Sequence, residues 1–299
     1  MTETFERKRG SVYAVLAPMI IIFVLGLTSL ALPDNSNLIV VSILPQLEFV
    51  ERIAGADAFQ TIVLIPPGAS PEIYSPTPDQ MKQISKAKAY FKLGSGLPFE
   101  AIWLEKIVAL NPGMVVIDCA EGIEILSGGE EGHAEHHHGQ DPHIWSSLRN
   151  AQKMVDNIAK GLSAIDPERK AIYEDNAAKY KQELAALDKD IETLFGQCAG
   201  RKFIVFHPAW GYFAGDYNLT QLPIEIEGKE PGADDLRKLI LISRQEDITT
   251  VFASPQFNSE SAKMIAREIG GTVDFIDPLR KDYLNNMREV AGKLAEAMR

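Results

Sequence analysis

Short apolar runs alternate along this chain with segments in which apolar residues recur every three or four positions. The runs are rich in β-branched residues, which is typical of strands in a parallel sheet covered on both faces. They lie at 38–41, 61–65, 89–93, 114–117, 203–206, 222–226, 250–252 and 273–276. Helical patterns between them cover 46–53, 79–87, 99–110, 233–243, 259–269 and 283–298. This alternation indicates βαβ units and therefore an α/β protein with mainly parallel sheets.

The alternation stops in the middle of the chain, where the pattern from residue 146 onward is wholly helical. Segment 167–195 carries apolar residues at alternating steps of four and three, without a glycine or an internal proline. Asp166 followed by Pro167 is typical of a helix start. As one helix the segment would be about 43 Å long. Because it lies between two βα-rich halves, we predict a rigid helix that joins two similar lobes rather than a coiled coil.

The N-terminus differs in kind from the rest of the chain. Arg7, Lys8 and Arg9 precede an uncharged, mostly apolar run from 11 to 33, the pattern of an export signal. The run is also long enough to span a bilayer, so a cleaved signal and an uncleaved anchor both stay open. Either one places the rest of the protein outside the cytoplasm. The predicted organisation is this segment (1–36), a first lobe (37–165), a connecting helix (166–196) and a second lobe (197–299).

Charge and cysteine content exclude some partners and sites. The formal net charge of -11 speaks against nucleic acid, which needs a basic footprint, and is compatible with handling a cation. The two cysteines, Cys119 and Cys198, are too few for a disulfide scaffold or a paired-cysteine zinc site. They are either buried thiols or a single bridge in an oxidising compartment.

The histidines are concentrated in one region. Four of the chain's six histidines lie in one short tract, at His133, His136, His137 and His138. His143 follows closely, and His207 comes directly after the predicted strand 203–206. Neutral imidazole is the commonest metal ligand, and a short histidine-rich segment is a compositional sign of metal binding. The sequence therefore indicates a metal-binding protein.

Four potential ligands lie where predicted strands end, and ligands of open α/β sheets bind beyond the carboxyl ends of strands. They are Glu72, His143, His207 and Asp277, two from each lobe. Two imidazoles and two carboxylates in one cleft between the lobes would suit zinc or another divalent first-row metal. Each residue also has an ordinary structural interpretation, as a solvated loop carboxylate, a capping histidine or a turn aspartate.

Several motifs together resemble a known family. They are Pro-Gly-Ala-Ser-Pro-Glu-Ile-Tyr (67–74), Asp-Pro-His-Ile-Trp (141–145), Phe-His-Pro-Ala-Trp-Gly-Tyr-Phe (206–213), Ile-Glu-Gly-Lys-Glu-Pro (226–231), Pro-Gln-Phe (255–257) and Ile-Asp-Pro-Leu (276–279). From residue 37 to 299 the chain resembles the metal-binding solute-binding proteins of bacterial and archaeal zinc/manganese ABC importers. The resemblance implies two α/β lobes on a rigid long helix, one metal held between them, and a histidine-rich loop, here 132–139. It further implies ABC permease subunits as partners, a monomer and no enzymatic activity.

The identity of the metal rests on one departure from the family pattern. Many zinc-type members have histidine where this chain has Glu72, and an oxygen ligand moves preference toward manganese or ferrous iron. His207 provides nitrogen where manganese-type relatives tend to have a carboxylate, and the histidine-rich loop suits zinc. We therefore expect Zn²⁺, with Mn²⁺ or Fe²⁺ as the alternative. A zinc hydrolase and an adhesin are further alternatives, although four protein ligands would leave little room for a catalytic water.

Overall fold

The first lobe is built on a four-stranded parallel sheet. In the computed structural model, which describes residues 1–2, 37–127, 139–225 and 231–299, its strands are β1 (Leu38–Val41), β2 (Gln60–Val63), β3 (Ala89–Lys92) and β4 (Val115–Asp118). Their order is β2-β1-β3-β4. The connecting helices are α1 (Leu44–Ala54), α2 (Pro78–Ile84) and α3 (Pro98–Leu110). The central strand β1 is buried along its whole length, as its unbroken apolar sequence requires.

The second lobe repeats this topology. Its strands are β5 (Lys202–Val205), β6 (Thr220–Pro223), β7 (Thr250–Ala253) and β8 (Thr272–Phe275), in the order β6-β5-β7-β8 and all parallel. Its helices are α6 (Gly211–Asp216), α7 (Ala233–Gln245), α8 (Glu260–Glu268) and α9 (Tyr283–Ala297). The prediction of two similar α/β lobes with parallel sheets is confirmed. The short helix α6 was not predicted, because six residues are too few to show a helical period.

Two helices connect the lobes. They are α4 (Leu148–Ile165) and the longer α5 (Lys170–Phe195), separated by a 3₁₀ turn at Pro167–Arg169. The buried side of α5 carries Tyr173, Ala177, Tyr180, Leu184, Leu187, Ile191 and Phe195. With this stripe α5 packs on α4, on α1 of the first lobe and on α9 of the second. The predicted long joining helix is confirmed, and it starts at Lys170 rather than Pro167 because the chain turns back from α4 through the tighter 3₁₀ turn.

The second sheet separates two apolar cores. Successive side chains of β5 point to opposite faces, so Phe203 and Val205 join the large core shared with the first lobe, α4 and α5. Ile204 and Phe206 instead join a smaller core on the other face, with apolar residues of α7 and α8. The large core is thus continuous across both lobes, which opposes independent movement of either one.

Polar contacts also tie the lobes together. Tyr283 at the start of α9 donates its backbone N–H to Glu48 of α1, at 2.5 Å. Lys281 lies 2.9 Å from the Glu51 carboxylate of the same helix. Trp145 donates its indole N–H to the Pro278 carbonyl, at 2.6 Å. Together with the shared core, these contacts hold the two sheets in a defined relation, which the site between them needs.

The two cysteines and the N-terminus complete the description. Cys119 and Cys198 are both buried and free, so the thiol interpretation holds and the bridge does not form. Within the described ranges, no helix combines the length and the apolar character needed to cross a bilayer. The predicted signal or anchor at 1–36 lies outside the described residues, apart from Met1 and Thr2.

Candidate metal centre

Three of the predicted ligands converge between the lobes. Glu72 lies in the loop after β2, His143 immediately precedes a 3₁₀ turn at Ile144–Ser146 in the connection after β4, and His207 follows β5 by two residues. One ligand atom from each lies within 4.8 Å of the other two. In the described part of the chain they form one potential metal-binding group. These three side chains thus meet, as expected for groups that lie beyond the carboxyl ends of parallel strands, and their role as metal ligands stays a prediction.

The two imidazoles face each other through the same ring atom. His143 Nε2 lies 3.1 Å from His207 Nε2, and Glu72 Oε1 lies 3.9 Å from His207 Nε2. Two nitrogens bound tetrahedrally to one zinc ion, at about 2.0–2.1 Å each, would be about 3.3 Å apart. Both histidines are buried, with 6% and 7% of their surfaces exposed. The separation of the two Nε2 atoms is therefore close to that of two nitrogens bound to one zinc ion.

Each histidine is held from behind by a carboxylate. His143 Nδ1 donates to Asp141 Oδ1 at 2.8 Å, and His207 Nδ1 donates to Glu225 Oε2 at 3.2 Å. With the proton on Nδ1, the lone pair of each Nε2 points into the space between the rings. This carboxylate–histidine arrangement is typical of metal-binding imidazoles, because it sets both the tautomer and the ring orientation.

The charges of the site call for a cation. Burial is the main cause that raises the pKa of the Glu72 carboxyl above its ordinary value; His207 lowers this pKa, and the Glu225 carboxylate raises it. Glu225 is itself buried, with 7% of its surface exposed. The Glu72 carboxylate and two imidazole lone pairs meet in one small space and make a donor set that suits a divalent ion.

Aromatic side chains enclose the imidazoles. Phe257 stacks on the His207 ring, with centroids 4.4 Å apart and planes inclined by 24°. Trp145, which is buried, lies 5.2 Å from the His143 ring between centroids. Apolar walls of this kind exclude water and strengthen the electrostatic interactions inside the site.

The fourth predicted ligand, Asp277, does not belong to the group of three. Its Oδ1 accepts hydrogen bonds from Gln256 Nε2 at 2.7 Å and from the Leu279 N–H at 2.8 Å. No described residue hydrogen-bonds to its Oδ2. Asp277 as a metal ligand therefore stays a prediction. The loop histidines His133, His136, His137 and His138 lie outside the described residues.

Sequence analysis missed the two carboxylates behind the histidines. Glu225 follows β6 by two residues in the structure, but it lay inside the predicted strand 222–226, so the strand-exit rule did not select it. Asp141 precedes His143 by two residues and also accepts its backbone N–H, at 2.9 Å. This local Asp-Pro-His contact is recognisable in the sequence as a turn in which aspartate bonds the residue two positions on.

Comparison with known proteins connects this geometry to transport. The sequence model of a family described as "Zinc-uptake complex component A periplasmic" matches residues 39–297. The chain in a crystal structure of ZnuA is 42% identical to this one, with a TM-score of 0.81, and the match covers 88% of this chain and 99% of that one.

Two relatives known by sequence are also similar. The high-affinity zinc uptake system protein ZnuA of Bacillus subtilis (strain 168) is 29% identical over 250 residues, which is 81% of this chain and 78% of that protein. The zinc-binding lipoprotein AdcA of Streptococcus pneumoniae (strain ATCC BAA-334 / TIGR4) is 29% identical over 276 residues, which is 89% of this chain. The match covers 54% of AdcA, so the chain spans about half the length of that relative.

Proposed function

We propose a function from one premise: this chain belongs to the family of periplasmic zinc-uptake components. Its cargo is Zn²⁺, and it delivers this ion to an ABC permease. Members of the family are metal-binding solute-binding proteins of importers and not enzymes, so the hydrolase alternative is set aside. An extracytoplasmic location follows from the family, and the basic and apolar pattern of 1–36 supplies a route of export. We further propose that the protein acts as a monomer.

One observation carries the choice of zinc. The two Nε2 atoms lie 3.1 Å apart, each on an imidazole held by a carboxylate. Imidazole nitrogen suits zinc, whereas manganese prefers oxygen ligands, and at a given mixed site zinc binds more tightly than manganese or ferrous iron. The oxygen of Glu72 makes the site harder than three histidines would, which keeps Mn²⁺ and Fe²⁺ as the alternative cargo.

Asp277 completes the ligand set in this proposal. It follows β8 by two residues, at the same end of the second sheet as His207. Gln256 and the Leu279 N–H hold its Oδ1, so Oδ2 is the atom offered to the metal. Four protein ligands of two nitrogens and two oxygens leave no open position for a reacting water, which is appropriate for carriage rather than catalysis.

Competition between metals tests the cargo. We expect the purified protein to bind one Zn²⁺ tightly and an equimolar amount of Zn²⁺ to displace bound Mn²⁺, because affinity at mixed nitrogen and oxygen sites rises toward zinc. Calorimetry with the two metals in either order measures this. Retention of Mn²⁺ against equimolar Zn²⁺ would identify manganese as the cargo. In cells, loss of the protein should impair growth on limiting zinc, and added zinc should restore it; unimpaired growth would contradict delivery.

The histidine-rich loop is proposed as a weaker collector of zinc beside the tight site. An antiparallel bridge between Ser127 and Gln140 joins the two sides of its base. We expect deletion of 132–139 to leave one tight site and to remove the additional weak binding, because the loop histidines are not among the proposed inner ligands. Zinc titration of the deletion variant measures both classes of site. A variant with His133, His136, His137 and His138 changed to glutamine keeps the loop length as the control, and loss of the tight site in both would show that the loop supplies an inner ligand.

A further inference from the structure

The carboxylate of Asp141 is the sole side-chain support that the described residues give to His143 Nδ1. Its Oδ1 accepts the imidazole Nδ1–H at 2.8 Å and the His143 backbone N–H at 2.9 Å. The side chain is largely buried, with 11% of its surface exposed. Because both bonds end on one oxygen, any displacement of this carboxylate releases the ring of a proposed metal ligand. The position of Asp141 therefore decides where His143 Nε2 points.

The backbone of Asp141 is held by a residue of the second lobe. Tyr212, in the first turn of α6, donates its hydroxyl to the Asp141 carbonyl at 2.9 Å. The same hydroxyl accepts the Leu126 N–H at 3.0 Å, and the Asp141 N–H donates to the Leu126 carbonyl at 2.9 Å. One buried hydroxyl thus connects two segments of the first lobe that lie 15 residues apart in the sequence.

The side chain of Asp141 rests on the preceding residue of α6. A Cβ atom placed on Gly211 would lie 2.6 Å from Asp141 Oδ2, closer than real Cβ contacts occur, and 3.1 Å from Gln221 Nε2. The φ angle of Gly211 is not among the positive values found at other glycines, so its backbone conformation does not require glycine. What glycine provides here is space, which the carboxylate of the first lobe occupies.

We infer that Gly211 and Tyr212 are positioning residues that seat Asp141 against His143, so that the second lobe orients the metal ligand of the first. His207 lies four residues before Gly211, so the segment that supplies one imidazole aligns the other. The inference rests on the proposed function, since it concerns the same metal site. Its consequence is that the positions of both imidazole rings depend on one short segment of the second lobe, 207–212.

Gly211→Ala tests this directly, with Gly215→Ala as the matched control. Both changes add one methyl group to α6, but a Cβ on Gly215 meets nothing within 4 Å. We expect Gly211→Ala to lower zinc affinity about 10- to 100-fold, the usual effect of losing a partner behind a metal-binding histidine. Gly215→Ala should bind zinc as the unaltered protein does. Competition with a chelator of known affinity measures both variants.

A spectroscopic signature separates positioning from general damage. In the metal-free protein, the ¹⁵N shifts of the neutral His143 ring should report a proton on Nδ1. Gly211→Ala should shift the ring toward a mixture of tautomers while the thermal midpoint stays near that of Gly215→Ala. Tyr212→Phe, which removes only the hydroxyl, should lower zinc affinity in the same direction and carries the test if Gly211→Ala does not fold.

A double-mutant cycle tests the route through Asp141. In an Asp141→Ala background, adding Gly211→Ala should cost no further affinity, because the displaced carboxylate is already absent. The inference is overturned if Gly211→Ala binds zinc as tightly as Gly215→Ala, or if its effect persists in the Asp141→Ala background. Failure of the unaltered protein to bind zinc would instead overturn the proposed function.

Discussion

Replacing His207 with alanine should lower zinc affinity about a thousandfold. A structural zinc site binds with about 10–16 kcal/mol, so one of four ligands contributes about 3–4 kcal/mol, and about 4 kcal/mol corresponds to a thousandfold change. The variant also leaves the Glu225 carboxylate buried without its imidazole partner. His143→Ala should behave alike, since it removes the opposing Nε2 and frees Asp141. Chelator competition followed by calorimetry measures the loss.

The matched control changes a histidine that is not a proposed inner ligand. His136→Ala removes one imidazole from the loop and should leave the tight site as it is. Circular dichroism of the metal-free variants should match that of the unaltered protein, because a lost imidazole does not interrupt any helix or strand. Unchanged affinity in either His143→Ala or His207→Ala would contradict the assignment of the metal centre.

Trp145→Ala should lower the free energy of unfolding by about 3–5 kcal/mol, the range for truncating a large buried aromatic residue. Trp145 is 1% exposed and lies two residues after His143. Its indole N–H bonds Pro278 of the second lobe at 2.6 Å, and its carbonyl accepts the Tyr283 hydroxyl at 2.7 Å. Truncation therefore removes both packing and a polar tie between the lobes. Urea unfolding monitored by far-ultraviolet circular dichroism measures the change.

Two further variants separate the contribution of the indole hydrogen bond to stability from that of side-chain packing. Trp145→Phe keeps most of the buried surface and loses the indole N–H, so it should cost about 1–3 kcal/mol, the penalty for an unsatisfied buried polar group. Trp103→Ala, at a partly buried tryptophan of α3 under the Lys106 ammonium group, should cost less than Trp145→Ala. A loss for Trp145→Ala no larger than that for Trp103→Ala would show that Trp145 does not connect the lobes.

Local patterns were sufficient to predict most of the fold. The apolar runs that became β1, β3, β5 and β7 are buried strands in the structure, because short β-branched segments have few other ways to bury their side chains. The four-and-three spacing in 167–195 predicted α5 for the same reason, since only a helix brings those residues onto one side. Prediction differed at α6, at the start of α5 and at β6, which was predicted at 222–226 and lies at Thr220–Pro223. There the structure follows tertiary packing over a few residues.

The sequence by itself determined which residues could form the site, and only the tertiary structure decided how they meet. Glu72, His143 and His207 were found because strand exits are recognisable locally and parallel strands end at one edge. Nothing local sets the 3.1 Å between Nε2 atoms of residues 64 positions apart, or the contact of Gly211 with Asp141 across the lobes. Those distances depend on how the shared core and α5 hold one sheet against the other. The separation of two side chains far apart in the sequence is set by the packing between them, which no local pattern encodes.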